Sequence, residues 1–547
     1  MRRNLSKGNL FVRGATILAV FFLLSAVLTV SGVAGSLRKQ AGTSAILVNA
    51  NAVPSLDFRS QTGVTPLAAA APGYDKLVAQ NPYTGKIEPY LATGWTVTPA
   101  SRPKQITFKI RKGASCPDGT PITPLVIVKS FVNWIKTPKT ASPLPKLFGP
   151  GPYRVSANVK KGTFTFGTQT PFQTLLLGFT DAPIVCPAGL AALSSNPNAL
   201  VTQQYGSGPY ELTSYVPNVS VSYQKRPGWA KWANWAPAGV NYKAMPDTFT
   251  WQLVSDPSTE ANILTTGAAD IGALLPGPNT DRLLSDSSLT NKRSESYNPM
   301  EVWFNQRPGY PAANPDVRAA LFAALDYRAV ATAAYGTSVL IAPSFLKPTD
   351  ACYDKKVTSL APKGDIAKAQ KLLESAGYSL SNGVMTKAGK PLKMTIAMSS
   401  DRFGGAGVYM TSQWEKLGVS VNLVDTPIST YVATLIAGKN FDATLYIAAN
   451  YRDYPWFQVN AAEGPTPPKG GNYSAAGAGD PAYTRAGLFV TQRTDCVWQD
   501  KFQETMLKDS IVLPVGFPIA HSFAQTSKIA KFPPDESVPY PMWIQMK

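Results

Sequence analysis

The sequence has one histidine, His521, and four cysteines among 547 residues. A zinc site of the H-E-x-x-H kind needs two histidines and is excluded. A Ser-His-Asp triad would have to use His521, and no G-x-S-x-G elbow accompanies it. No Walker A loop is present, because Gly85-Lys86, Gly389-Lys390 and Gly438-Lys439 are not followed by Ser or Thr. Charged residues are also scarce, at 16%, below the usual quarter or so. Acids are missing altogether before Asp57, and no basic run reaches five residues. The formal net charge of +19 points first to nucleic acid or an anionic surface. The dispersal of Lys and Arg argues for a solvated basic surface and against a nucleic-acid partner.

What is present is ample apolar material. Hydrophobic residues make up 44% and aromatics 10%, enough for large cores and about three lobes at roughly 100–200 residues each. Arg2, Arg3, Lys7 and Arg13 precede an uncharged apolar stretch from Gly14 to Leu37, which ends in small residues. This pattern is that of a secretory signal. It is also long enough, at about 20 residues per bilayer core, to stay as an N-terminal anchor over residues 1–37. Either reading puts the body outside the cytoplasm, in the periplasm or cell envelope or on the outer face of the cytoplasmic membrane. No cysteine precedes Cys116, so none is available there for lipid attachment.

Cys116, Cys186, Cys352 and Cys496 form an even set, as suits an oxidising compartment. Four cysteines allow three connectivities. Spacing suggests Cys116–Cys186 and Cys352–Cys496, each within one half of the chain; the alternative is four buried thiols.

Periodicity predicts alternating strands and helices, hence an α/β fold. Ser44 to Asn49, Gln105 to Arg111, Phe164 to Phe166, Tyr210 to Tyr215, Val219 to Gln224, Val419 to Val424 and Ile511 to Pro518 read as extended. Leu125 to Lys136 reads as a helix with Val128, Phe131, Val132 and Ile135 inward. Asp365 caps a helix that buries Ile366, Ala369, Leu372 and Leu373 and ends at Gly377. Asn314 caps another, with Pro315 at its first position and Val317, Leu321 and Ala324 inward. Gln413 to Gly418 ends a third helix, and Gln499 to Asp509 is helical.

Several of these segments, in order, resemble the family 5 solute-binding proteins of ABC importers, the peptide- and nickel-binding class. They are Leu91-Ala92-Thr93-Gly94-Trp95, Phe108 to Thr120 (FKIRKGASCPDGT), Gly206 to Tyr210 (GSGPY), and Val302 to Asn305 followed by Asp316 to Ala320. Ala367 to Tyr378 and Trp498 to Pro514 complete the set. The resemblance implies a bilobal, periplasmic-binding-protein-like fold, type II-like, with an extra α/β subdomain in lobe I. Lobe I would then comprise 44–85, 197–296 and 518–547, its subdomain 86–196, and lobe II 297–517. Both expected disulfides respect these borders.

The resemblance also implies binding without turnover, with no cofactor. Two lobes would close on a peptide or peptide-like solute and present it to an ABC permease. In peptide-binding members an aspartate of lobe II pairs with the ligand's amino group. The matching Ala-Asp-Tyr falls on Ala449-Asn450-Tyr451, so an amide replaces the carboxylate and the charge-assisted bond is lost. Asp453 lies three residues on. Tyr451, Tyr454, Trp456 and Phe457 make the loop aromatic, suited to stacking or to packing on lobe II. Asn51 lies in the matching first-lobe entry, Asn51 to Asp57. Trp303 and Asn305 read as core residues, and His521 as a hydrogen-bonded structural residue after the last strand. The protein is expected to be a monomer near an anionic envelope surface. A single histidine excludes a multi-histidine metal site, although a bound chelate remains compatible. A secreted wall hydrolase and a membrane-anchored scaffold without transport are the competing readings. The sequence offers the hydrolase no specific motif, since Ser344-x-x-Lys347 lacks the S-D-N and K-T-G partners.

Overall fold

The computed structural model describes residues 43–49, 53–60, 68–137, 142–229, 237, 240–350, 352–448, 466, 472–477, 480–493, 495–534 and 540–547. All of these lie in one compact unit, 42–547; the amino-terminal export segment lies outside them. No helix among them is long and apolar enough to cross a membrane.

A twelve-stranded mixed sheet organises the chain. Its order is Ser420–Asp425, Lys393–Met398, Ala443–Ile447, Met300–Phe304, Val512–Gln525, Ile271–Leu274, Ser44–Asn49, Thr248–Leu253, Ser220–Lys225 and Tyr210–Val216; Leu289–Glu295 and Val339–Ile341 also pair with Val512–Gln525. Ser44–Asn49 is a nearly continuous apolar run, as expected for a strand covered on both faces.

The strand Val512–Gln525 joins the two sheet halves, and all fourteen of its residues are buried. Its first part pairs antiparallel with Met300–Phe304, from Val512 to Gly516. Its last part pairs antiparallel with Leu289–Glu295, from Ile519 to Gln525. The sequence reading ends this strand at Pro518 and places His521 beyond it. The structure corrects both points: the strand runs on through Pro514 and Pro518. Proline removes a ladder donor and is tolerated at irregularities. Pro514 sits at the register shift beside Met300 and Glu301. Pro518 sits where the pairing partner changes, and its carbonyl still accepts from Ser296 N–H at 3.1 Å.

A second sheet, of four antiparallel strands, has the order Ala92–Thr98, Gln105–Ile110, Thr163–Thr168, Tyr153–Asn158. The helix Pro124–Lys136 packs against it. Thr123 Oγ1 accepts from Val126 N–H, and Pro124 stands at the first position, so the amino-terminal donors are partly satisfied. The inward face is Ile127, Ser130, Phe131 and Trp134; of the predicted stripe only Phe131 is fully buried. The segment is apolar almost all round, and Trp134, three residues after Phe131, sets the rotation by entering an aromatic cluster. The Phe131 ring lies 5.3–6.1 Å from those of Trp134, Phe148, Phe164, Phe166 and Phe179.

In the second half, the predicted caps form. Asp365 accepts from Lys368 N–H at 2.8 Å, and Gly377 ends that helix at φ +87°. Ala369 and Leu373 of its stripe are fully buried, while Ile366 and Leu372 pack at the rim. Asn314 accepts from Asp316 N–H at 2.8 Å, and Val317, Leu321 and Ala324 are buried. The Gly206-Ser207-Gly208 turn has a steric reason: a Cβ on Gly206 would lie 2.0 Å from the Gly73 carbonyl oxygen, and one on Gly208 2.5 Å from Tyr74 N. Disulfides join Cys116 to Cys186 and Cys352 to Cys496.

Candidate functional site

Ligands of open α/β sheets sit outside the carboxyl ends of strands, so the register locates the candidate site. Leu47 lies opposite Ile271 in a parallel pair, and Ile271 lies opposite Ala524, with Ala273 opposite Ser522. Two residues further on, Asn49 therefore ends its strand at the level of Ser522. From the other half, Ile447 lies opposite Met300, and Met300 lies opposite Gly516. Two strands of opposite direction thus point their carboxyl ends at the middle of the long strand, between Gly516 and Ser522.

The expected ligand contacts leave from these two ends. Asn51 follows Asn49, and Asn450, Tyr451, Asp453 and Trp456 follow Ala448; all five lie outside the described residues, as do Tyr454 and Phe457. Their flanks are described. Asn49 is buried, as are Ala448 and Val53. Asp57, at the end of the first-lobe entry, makes a buried bidentate pair with Arg59, at 2.6 and 2.9 Å. Arg59 in turn donates to Asn133 and to the Pro197 carbonyl. Asp57 therefore anchors its segment.

Met300–Phe304 presents two faces. Met300, Val302 and Phe304 enter the core of the second half, whereas Trp303 joins the cluster of the first. Glu301 is fully buried, and Trp303 Nε1 donates to its Oε2 at 2.9 Å. Tyr446, paired with Glu301 in the register, packs edge-on against Trp303 at 6.5 Å. Burial pushes the Tyr446 hydroxyl above its ordinary range; the Glu301 charge adds to this and the Arg402 charge opposes it. Tyr446 thus stands at the end of Ala443–Ile447 with Glu301 beside it in the register and Trp303 against its ring. Sequence reasoning passes over Glu301 and Arg402. Glu301 carries a usable signal, as the one acid in the buried strand Met-Glu-Val-Trp-Phe. Arg402 carries none, because it belongs to the short helix Ser400–Phe403, which periodicity does not reveal.

Trp303 and Asn305 are core residues. The Asn305 amide donates to the Phe441 carbonyl at 2.9 Å. His521 lies within the long strand, its Nδ1 2.8 Å from Asn291 Oδ1. Burial, reinforced by Arg293, lowers its pKa. Among the described residues no group of three or more His, Cys, Asp and Glu side chains gathers to hold a metal ion.

The family model for bacterial extracellular solute-binding proteins, family 5 Middle, matches residues 86–474. A probable peptide ABC transporter periplasmic-binding protein of Sinorhizobium fredii is 27% identical over 356 residues, 61% of this chain and 61% of that protein's length. Among solved structures, NikZ of Campylobacter jejuni in complex with Ni(L-His) has a TM-score of 0.75 at 16% identity, covering 91% of this chain and 97% of that one. A dipeptide-binding protein of Pseudoalteromonas sp. SM9913 in complex with Met-Leu has a TM-score of 0.73 at 18% identity, covering 92% and 100%. With the match running over well more than half of its length, the chain belongs to the bacterial extracellular solute-binding proteins of family 5 and has their bilobal α/β fold.

Proposed function

We propose that the protein is an exported, monomeric, non-catalytic solute-binding protein that captures a peptide or peptide-like solute between its lobes and delivers it to an ABC-type permease. The observation that carries this reading is the convergence of the Asn49 and Ile447 strand ends on the middle of Val512–Gln525. That arrangement puts the solute where the two lobes can close on it, with the crossing strands absorbing the motion.

The lobe borders follow the same logic. Lobe I comprises 44–85, 197–296 and 518–547, with the subdomain 86–196, and lobe II spans 297–517. The borders at 296/297 and 517/518 fall in the gap between the Leu289–Glu295 and Met300–Phe304 pairings. Tyr446, half-buried at the carboxyl end of Ala443–Ile447, supplies apolar area at this point of the cleft, held from behind by the buried Glu301–Trp303 pair. Asn450, Tyr451, Asp453, Trp456 and Asn51 complete the cleft in this reading. The related proteins above are named as binding proteins or described with a small bound solute, which supports capture over hydrolysis or scaffolding.

A thermal-shift screen with di- to pentapeptides tests this. A cognate peptide at a hundredfold excess over Kd stabilises the protein by about 2.7 kcal/mol. Stabilisation by sugars or metal chelates with none by any peptide would overturn the peptide assignment.

A further inference from the structure

Although Lys and Arg are dispersed along the chain, acids are scarce in one region, which therefore carries a large share of the net charge. Residues 86–196 contain thirteen Lys and Arg against three acids, Glu88, Asp118 and Asp181, a net of +10 out of +19 for the whole chain. No acid occurs between Asp118 and Asp181. Each of the three acids is engaged away from the four-stranded sheet. Glu88 accepts from Asn81, Asp118 accepts from Thr120 N–H in its own turn, and Asp181 faces Lys76 at 3.7 Å.

The four-stranded sheet buries Ile106, Phe108, Phe164 and Phe166 on one face. The register aligns its other face in three rows. Thr96, Thr107, Thr165 and Ser156 form the first; Thr98, Gln105, Gly167 and Arg154 the second; Gly94, Lys109, Thr163 and Asn158 the third. Strands lie about 4.8 Å apart, so the first row offers a hydroxyl at each step. The Thr107 and Thr165 hydroxyls are 2.9 Å apart. Neither an acid nor a large apolar side chain stands in any row. Arg102, Lys104, Arg154, Lys160 and Lys161 are exposed around it, and among the described residues none of them forms an ion pair.

We infer that this sheet face docks an anionic polysaccharide of the cell envelope. The carboxylate or phosphate groups of the polymer meet the basic rim, and its hydroxyls pair with the row of Thr and Ser hydroxyls. Charge complementarity selects the sign of the partner, and the flat polar rows select a hydroxylated chain over a bilayer. A bilayer-docking face carries an amphipathic helix or interfacial aromatic residues. Here the exposed large apolar side chains described between residues 92 and 168 are Leu125, on the helix, and Val159, in a turn.

The test uses the protein as its host exports it, with immobilised polygalacturonate as probe and uncharged dextran as control. The variant Lys104→Gln/Arg154→Gln/Lys160→Gln/Lys161→Gln is compared with Lys363→Gln/Lys368→Gln/Lys371→Gln/Lys390→Gln, which removes the same charge from the second half. Summed over four exposed charges, the sheet-face variant should weaken binding on the order of tenfold or more, with the control within about twofold. Added salt should abolish wild-type binding. Equal losses in both variants, binding to phosphatidylglycerol vesicles but not to polygalacturonate, or no binding at all would overturn the inference. If the sheet-face variant does not fold, acetylation footprinting of the wild type decides instead. Bound polygalacturonate should protect Lys104, Lys160 and Lys161, and an absence of protection overturns the docking. Peptide-induced stabilisation should be the same in all forms, which separates this surface from the cleft.

Discussion

The four-stranded region and the second sheet half fill their cores by different means. The first uses large rings: Phe108, Phe131, Trp134, Phe148, Phe164, Phe166 and Phe179 are all buried and in mutual contact. The second interleaves fully buried small residues, Ala320, Ala324, Ala331, Ala369, Ala406 and Ala443, with Leu321 and Leu373 and with separate ring pairs such as Phe304–Trp414 and Phe403–Tyr431. Ring pairs add about 0.5–1.5 kcal/mol beyond the area they bury, so stability in the first region is concentrated in a few side chains. Small residues let helices approach the sheet closely, and stability there is spread over many contacts and over the caps that start each helix.

Truncating the ring at the centre of the first core should have the largest effect. Phe131→Ala should cost about 4 kcal/mol, against about 3 for Leu373→Ala in the second, read as shifts in urea midpoint. A larger loss at Leu373 would break the contrast. The next effect is electrostatic. Burial raises the Asp75 carboxyl from 3.8 to about 6, opposed by hydrogen bonds from Tyr90 and Trp229. Its folded value lies above its unfolded one, so the native state holds the proton more tightly. Stability from this group is therefore greatest below about pH 4 and falls by about 3 kcal/mol as pH rises through about 6. Asp75→Asn should remove that slope between pH 4 and 7 while keeping both donors satisfied; an unchanged slope would assign it elsewhere.

Caps come third. Asp365→Ala and Asn314→Ala should each cost about 1 kcal/mol, and hydrogen exchange should speed up mainly in the helices they start. Global destabilisation of the four-stranded region by either change would show that the two cores are coupled. The smallest effect is expected at the basic sheet face. Its four Gln substitutions should move stability by no more than about 0.5 kcal/mol, because those side chains reach into solvent.

Local rules made much of this fold legible. Asp365, Asn314, Pro315 and Gly377 act as their residue types dictate, since a cap is decided within four residues of chain. The helix Pro124–Lys136 was harder to orient, because its apolar residues surround the axis and only the tertiary position of Trp134 fixes the rotation. Pro514 and Pro518 look like strand breakers until the bulge and the change of partner are known, and both depend on strands more than 200 residues away. The candidate site divides similarly. The strands that lead to its two flanks were legible from segment resemblance, while Glu301, Trp303 and Tyr446 come together through a pairing of strands about 145 residues apart that no local pattern encodes.

The fourteen-residue strand has a consequence for taking the molecule apart. Each sheet half borrows an inner member from the same stretch of chain, so cutting near Pro518 would leave the long fragment, 1–517, with Ile271–Leu274 and Leu289–Glu295 bare along the edge that the short fragment, 518–547, had covered. Such open edges template self-association. The long fragment should therefore not be soluble when expressed alone, yet it presents the edge that the short one completes. Co-expressed fragments divided at that point should find one another and restore the whole, which would make this solute-binding protein a natural starting point for a split reporter.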